Sequence, residues 1–221
     1  MPPPRITKAF VTNATTTFTT NVARAEDLYK KIVLHGYTMP PAGGPATGLN
    51  NPDTRDAAQF IFFEVSAQFE EYAKTMFEAE VRSKLKVTVT QSRFVMGDAD
   101  RGLDNKLGWG SATQLKERGT NLLGRTSFFA TIDVTLGVGT YNDLIAAHII
   151  RNRIAHSGGQ AQAKFVRHLT TIGIPPAQRM GMSIGRFLRD YPAAATPLNR
   201  NFFVYLNAYS AFANAAQHAL P

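Results

Sequence analysis

The feature that most constrains the fold is a helical repeat of apolar residues that begins near Asp53 and continues to about Leu85. Its apolar residues recur at the spacing of an α-helix, and its glutamates fall between them. Because Phe62 and Val65 widen the apolar surface beyond a single stripe, we expect this long helix to lie centrally in the fold. Asp53 or Thr54 is a candidate for the residue that caps its N-terminus.

Several shorter segments show the same helical period, and together they predict an all-α helical bundle with loop insertions. Residues 1–20 are rich in Thr and Pro and lack that period, which predicts an irregular N-terminal arm before a single domain at 21–221. Residues 38–52 and 97–110 have the composition of loops. The alternation in KLKVTVTQ, at 84–91, favours a strand weakly, or else an extended connection. The shorter helices are predicted at 21–35, 111–123, 141–156, 160–171, 177–189 and 199–219.

Composition narrows the class of protein. The chain has 221 residues, of which 44% are hydrophobic and 18% are charged, and this suffices for a core without cross-links. It has no cysteine, which excludes disulfides, thiolate chemistry and cysteine-ligated zinc. Neither an apolar run long enough to span a membrane nor a signal-peptide core is visible. We therefore expect a cytoplasmic protein that makes no use of a membrane.

Positive charge is concentrated in the last third of the sequence. From Leu144 onward, eight Lys and Arg residues face one acid, Asp190, which gives that segment a net charge of +7. The other 16 basic and 15 acidic residues leave only +1 for the first 143 positions. Such an imbalance is typical of a surface that binds a polyanion, although a solvated basic face that aids solubility has the same composition.

The helix predicted at 141–156 carries the densest group of chemically useful side chains. In a helix with about 100° between residues, its polar group falls within an arc of roughly 140°. Thr140 is a possible N-cap, and Gly158 or Gly159 is expected to end the helix in the left-handed conformation. The polar group comprises His148, Arg151, Asn152 and His156, whereas Tyr141, Leu144, Ala147, Ile150 and Ile154 form an apolar side for the core.

A second stripe on this helix begins apolar and ends polar. Ile145 and Ile149 lead to Asn152 and His156 at spacings of four, three and four residues. Its apolar start could pack against a second copy of the chain while its polar end lines a cleft. Two-fold symmetry would then bring two polar ends together.

These side chains suit the cleavage of RNA by its own 2′-hydroxyl. That reaction needs a group to take the hydroxyl proton, a donor for the leaving 5′-oxygen, and positive charge beside the phosphate. Histidine exchanges protons near neutral pH, and arginine holds phosphate oxygens with a planar fork. Asn152 can orient His156 or donate to a phosphate oxygen. No metal is required, and no pair of histidines shares a helix face with a carboxylate at metal-ligand spacing.

The run RNRIAH, from Arg151 to His156, resembles the Arg-Asn-x-x-x-His signature of HEPN ribonucleases. It ends a predicted helix, follows the apolar run LIAAHII and precedes the small-residue break SGG. The resemblance covers residues 21 to 169 and implies a helical bundle, a homodimer whose two motifs share a cleft, and metal-independent RNA cleavage without a cofactor. It implies Arg151, Asn152 and His156 as the catalytic residues, and a toxin or antiviral-defence role with a possible antitoxin or regulatory partner.

Other residues are candidates for lesser roles. Arg153, Lys164, Arg167 and His148 are predicted to contact RNA, although His148 also suits a hydrogen-bonded interface residue. Trp109 could stack on a base or anchor its loop to the core. His35 is expected to cap a helix, and His168 could contact phosphate. Two alternatives to a nuclease remain open, namely a non-catalytic HEPN-like module that binds RNA or a protein, and an unrelated basic scaffold in which Arg151 and His156 only cap a helix.

Overall fold

The computed structural model describes residues 6–34, 49–97, 108–192 and 195–221, and within these ranges the protein is all-α, with no strand. The all-α prediction is therefore confirmed. Ten α-helices occur in the described residues: α1 (Lys8–Tyr29), α2 (Asn51–Leu85), α3 (Val89–Val95), α4 (Ala112–Arg118), α5 (Ile132–Leu136), α6 (Val138–Ala155), α7 (Gly159–Thr171), α8 (Pro176–Arg179), α9 (Ile184–Asp190) and α10 (Asn201–Ala219).

The chain divides into two compact units. Unit 1 comprises residues 1–20, 67–145 and 208–221, and unit 2 comprises residues 21–66 and 146–207. The boundaries fall inside α1, α2, α6 and α10, so each of these helices contributes residues to both units. The predicted single domain at 21–221 stays a prediction.

The core of unit 1 is built from stacked aromatic rings. Phe69 of α2 stacks on Tyr209 of α10 with 4.3 Å between ring centroids, and Phe18 of α1 stacks on Tyr72 at 4.6 Å. The buried carboxylate of Glu80 accepts the backbone N–H of Phe128 at 2.9 Å. Since an unpaired buried N–H costs roughly 1–3 kcal/mol, this side chain stabilises the turn that leads into α5 and α6.

Unit 2 combines an aromatic core with a close approach between two helices. Tyr29 of α1 stacks on Phe202 of α10 with 3.8 Å between centroids. Gly185 of α9 lies against the backbone of Arg55 in α2, where an added Cβ atom would overlap the Arg55 carbonyl oxygen. The Arg55 guanidinium also binds the Asp190 carboxylate at 2.7 Å. A glycine at position 185 is therefore needed for α9 to pack directly on α2.

The predicted irregular arm differs most from the structure, because α1 begins at Lys8 and is helical throughout residues 8–20. The predicted strand at 84–91 is also wrong. In its place, Thr88 caps α3 by accepting the Gln91 N–H, and the Gln91 side chain accepts the Thr88 N–H in return. The alternative of an extended connection holds for residues 86–88 only.

Helix ends are the other point of difference. The cap of α2 is Asn50, whose side chain accepts the Asp53 N–H at 2.9 Å, so Asp53 and Thr54 lie inside the first turn. The helix predicted at 177–189 is interrupted, since α8 ends at Arg179 and α9 begins at Ile184. Gly181, with φ +76°, forms the break between them. The predicted extent of α2 to Leu85 is confirmed.

Candidate functional site

The helix that carries the RNRIAH run is α6, and its apolar side is buried as predicted. Leu144, Ala147 and Ile150 are 0–1% exposed, whereas Tyr141 and Ile154 are half-buried. The helix begins at Val138, so Thr140 lies within its first turn and does not cap it. This burial fixes the rotation of α6, so that His148, Arg151 and Asn152 of its polar arc are half-buried and His156 is exposed.

The end of α6 is exposed and does not use the predicted left-handed glycine. The N–H of His156 donates to the Asn152 carbonyl at 3.0 Å, which completes the last turn. Gly158 has a φ of −65° and serves as the N-cap of α7, and Gly159 is the first residue of that helix. Residues 155–160 are all exposed. A short solvent-facing corner therefore joins the motif to α7.

Three polar side chains of α6 form one hydrogen-bonded group. The Asn152 amide oxygen accepts from Arg151 Nη1 at 3.4 Å, and its Nδ2 donates to His148 Nε2 at 2.8 Å. An arginine can only donate, so it must face the amide oxygen, and this orients the Asn152 amide. His148 Nε2 must then be unprotonated, with the ring proton on Nδ1.

The electrostatics of His148 favour the neutral ring that this hydrogen bond requires. Burial is the main cause that lowers its pKa to about 4, and the positive charges of Arg151 and Lys164 lower it further. The ring is therefore uncharged at neutral pH. In this geometry it holds Asn152 in place and is a poor source of protons.

Arg151 also contacts a residue of α2, Phe63. Its guanidinium carbon lies 5.6 Å from the centroid of the Phe63 ring, which is within the range of a cation–π contact. Phe63 and Arg151 are both half-buried. The sequence gives no sign of this contact, because the pairing of α2 with α6 depends on packing between distant segments.

His156 lies beyond the hydrogen-bonded group, just after the last residue of α6, and is exposed. Within the described part of the chain its ring makes no hydrogen bond. Its carbonyl accepts from Arg153 Nη1 at 3.2 Å, while Arg153 Nε donates to Gln162 of α7 at 2.5 Å. The structure thus brings Arg151, Asn152 and His148 together and leaves His156 exposed at the end of the helix, outside their hydrogen-bonded group.

The basic residues of the last third fall into two groups. Lys164 and Arg167 are exposed on α7, three residues apart on one helix face. Arg179 and Arg200 are used inside unit 2, where Arg179 donates to the Ile174 carbonyl and Arg200 donates to the Arg189 carbonyl. Only some of the basic residues behind the net charge of +7 are therefore exposed where a polyanion could bind them.

The remaining candidates have structural surroundings. Trp109 is buried, and the Arg118 guanidinium lies 4.4 Å from its ring centroid, so the ring anchors its segment. His168 is half-buried beside Phe187, and burial lowers its pKa. His35 lies outside the described residues. Among those described, no group of three or more His, Asp or Glu side chains is placed to hold a metal ion.

No helix in the described ranges has the length and apolar character needed to cross a bilayer. Comparison of the chain with protein-family models, with curated proteins and with solved structures finds no match. The case for a function therefore depends on the residues of α6 and α7 themselves.

Proposed function

We propose that this protein is a metal-independent endoribonuclease of the HEPN type. The resemblance of the RNRIAH run to the HEPN signature implies this function. One observation carries the proposal: an oriented Arg151–Asn152 pair lies one helical turn before an exposed histidine, His156, at a basic corner of unit 2. The charged guanidinium suits a phosphate, and the imidazole suits proton transfer at neutral pH.

In the proposed reaction, the 2′-oxygen of a ribose attacks the adjacent phosphorus while the bond to the 5′-oxygen breaks. A His156 imidazole takes the 2′-hydroxyl proton, and a second imidazole gives a proton to the leaving 5′-oxygen. Arg151 stabilises the charge on the non-bridging oxygens. The products carry a 2′,3′-cyclic phosphate and a 5′-hydroxyl, and all atoms are accounted for without metal or cofactor.

The need for two proton-transfer groups favours a homodimer. His148 is half-buried and neutral, so the described residues of one chain offer a single exposed imidazole at this corner, that of His156. A two-fold axis near the end of α6 would supply the second from a partner copy. We propose a cytoplasmic toxin or defence effector restrained by an antitoxin or regulatory protein, with Arg153, Lys164, Arg167 and His148 on the RNA side.

The test is RNA cleavage by the purified full chain in EDTA, with identification of the product ends. We expect cleavage by the wild type, and a loss of about 100-fold or more in both Arg151→Ala and His156→Ala, since a general acid–base group contributes roughly 10²–10⁴ and a donor that stabilises transition-state charge roughly 10²–10³. Arg24→Ala and His218→Ala remove the same residue types at exposed positions away from the RNRIAH run and should leave the rate unchanged.

If the His156→Ala variant still cleaves RNA at the wild-type rate, the assignment of His156 as a catalytic residue is wrong. Retention of RNA without cleavage would instead support the non-catalytic module, and its affinity should then weaken steeply with salt if phosphates are contacted.

A further inference from the structure

A small cleft in unit 2 opens beside the end of α6 and takes no part in the reaction proposed above. Its volume is about 220 Å³. Arg153 and Ser157 lie on either side of His156 in the sequence and both line it, so the cleft adjoins the proposed reaction centre. Its other principal lining residues are Gln59, Phe165, Met182 and Ile184.

The lining of the cleft has an apolar floor and a polar rim. Phe165, Met182 and Ile184 are 1–7% exposed and form the floor. Gln59 is half-buried and Ser157 is exposed at the rim, and neither side chain forms a hydrogen bond within the described residues. A flat aromatic ligand with a polar edge fits this division, because its faces need apolar contact and its edge needs hydrogen bonds.

Size and charge narrow the ligand further. Pockets for drug-sized molecules measure roughly 300–1,000 Å³, so this cleft suits a single small ring system. Arg153 makes two hydrogen bonds, to Gln162 and to the His156 carbonyl, and an arginine has five N–H donors.

We propose that the cleft binds one base of single-stranded RNA, belonging to a nucleotide next to the phosphate that is cleaved. The identity of the ligand rests on the proposed function. The base lies against the side chains of the apolar floor, and its edge bonds to the Gln59 amide and to the remaining N–H groups of Arg153. This contact selects among bases at one position, which a phosphate contact alone cannot do.

Methionine methyl groups report on the cleft directly. Met182 lies in it, Met76 is fully buried elsewhere, and Met180 is 84% exposed. Full-length protein labelled with ¹³C at the methionine methyls is titrated with each of the four nucleoside 5′-monophosphates, and separately with ribose 5-phosphate, which has no base. We expect a saturable shift of Met182 with at least one nucleotide, none at Met76, and none with ribose 5-phosphate.

A bulky substitution at the rim supplies the matched comparison. Ser157→Phe places a ring in the mouth of the cleft, whereas Gln160→Phe adds the same ring at an exposed position that does not line it. Ser157→Phe should lower the nucleotide affinity at least about tenfold, and Gln160→Phe should not. Cooperative urea unfolding with a midpoint like that of wild type shows that each variant is folded.

Sequencing of the cleavage products from a random RNA pool completes the test. Wild type should prefer one base or base class at one position beside the cut, and Ser157→Phe should flatten that preference. If nucleotides shift Met182 but no RNA is cut, the base site stands and the nuclease proposal fails. If RNA is cut while no nucleotide shifts Met182, or ribose 5-phosphate shifts it equally, the base site is overturned and the nuclease stands.

Discussion

At the scale of single residues, Asn152 connects the parts of the candidate site. Its amide oxygen accepts from Arg151 and its Nδ2 donates to His148. If the amide were rotated by 180°, Nδ2 would face the guanidinium of Arg151, and both groups are donors. The position of Arg151, the amide of Asn152 and the tautomer of His148 are therefore linked. A change at one of the three should disturb the others even where the helix itself is unaffected.

The state of His148 gives a pH prediction. Its pKa is about 4 in the folded protein against 6.5 when solvated, so the unfolded chain binds an extra proton between these values. Its contribution to the free energy of unfolding is thus fully present above pH 6.5 and is lost as the pH falls to 4. That loss should be at most about 3 kcal/mol.

Measurement of this effect needs two experiments. The ¹³Cε1 resonance of His148 should titrate with a midpoint near 4, and urea denaturation should show a shallower pH dependence between 4 and 6.5 in His148→Gln than in wild type. His218→Gln, which removes an exposed histidine, serves as the control. A His148 midpoint at 6 or above would contradict the neutral, asparagine-holding state.

At the scale of elements, Gly185 and Gly139 make opposite predictions for the same substitution. Gly185→Ala would force the backbone of Arg55 away from α9, so it should destabilise the protein by about 1–3 kcal/mol or more. Gly139 lies in α6 with nothing within 4 Å of an added Cβ, so Gly139→Ala should stabilise it by up to about 1 kcal/mol.

Urea unfolding of both variants beside wild type measures these free energies. If Gly185→Ala were as stable as wild type, the close packing of α9 on α2 would be wrong. If Gly139→Ala were destabilising, the open space around Gly139 in the first turn of α6 would be wrong.

The elements also show where sequence patterns succeed and where they fail. The length of α2 was predictable, since many large apolar residues repeat through it. The start of α1 was not, because one position of its buried stripe is a threonine. Val11, Thr15, Phe18 and Val22 are all buried at helical spacing, and the Thr15 hydroxyl is hydrogen-bonded to that of Tyr72 at 2.8 Å. A polar residue in the core is invisible to hydrophobic periodicity.

The candidate site follows the same rule. The arc of polar residues on α6 could be predicted, because it depends only on the geometry of one helix. The contact of Arg151 with Phe63 and the cleft that Gln59 shares with Arg153 could not, since both join α2 to α6 across some ninety residues of sequence. Patterns within one element carry no information on which distant element packs beside it.

At the scale of the whole molecule, the proposed chemistry requires more than one chain. His148 and His168 both have pKa values lowered by burial, and among the described residues His156 supplies the exposed imidazole of the corner. A reaction that takes one proton and gives another near neutral pH needs two such groups. The proposal therefore commits to a dimer in which each copy contributes one His156.

Mixed dimers test that commitment. When wild type and His156→Ala are unfolded together in equal amounts and refolded, only about one quarter of random dimers contain two intact copies. If both imidazoles serve one phosphodiester, activity should fall to about one quarter of that of the same total amount of wild type, whereas chains that act alone would retain about one half. A parallel mixture with Arg24→Ala, an exposed position outside the site, should lose nothing. Activity proportional to the wild-type fraction would show that each chain cuts by itself, and the second proton-transfer group would then have to come from the same chain.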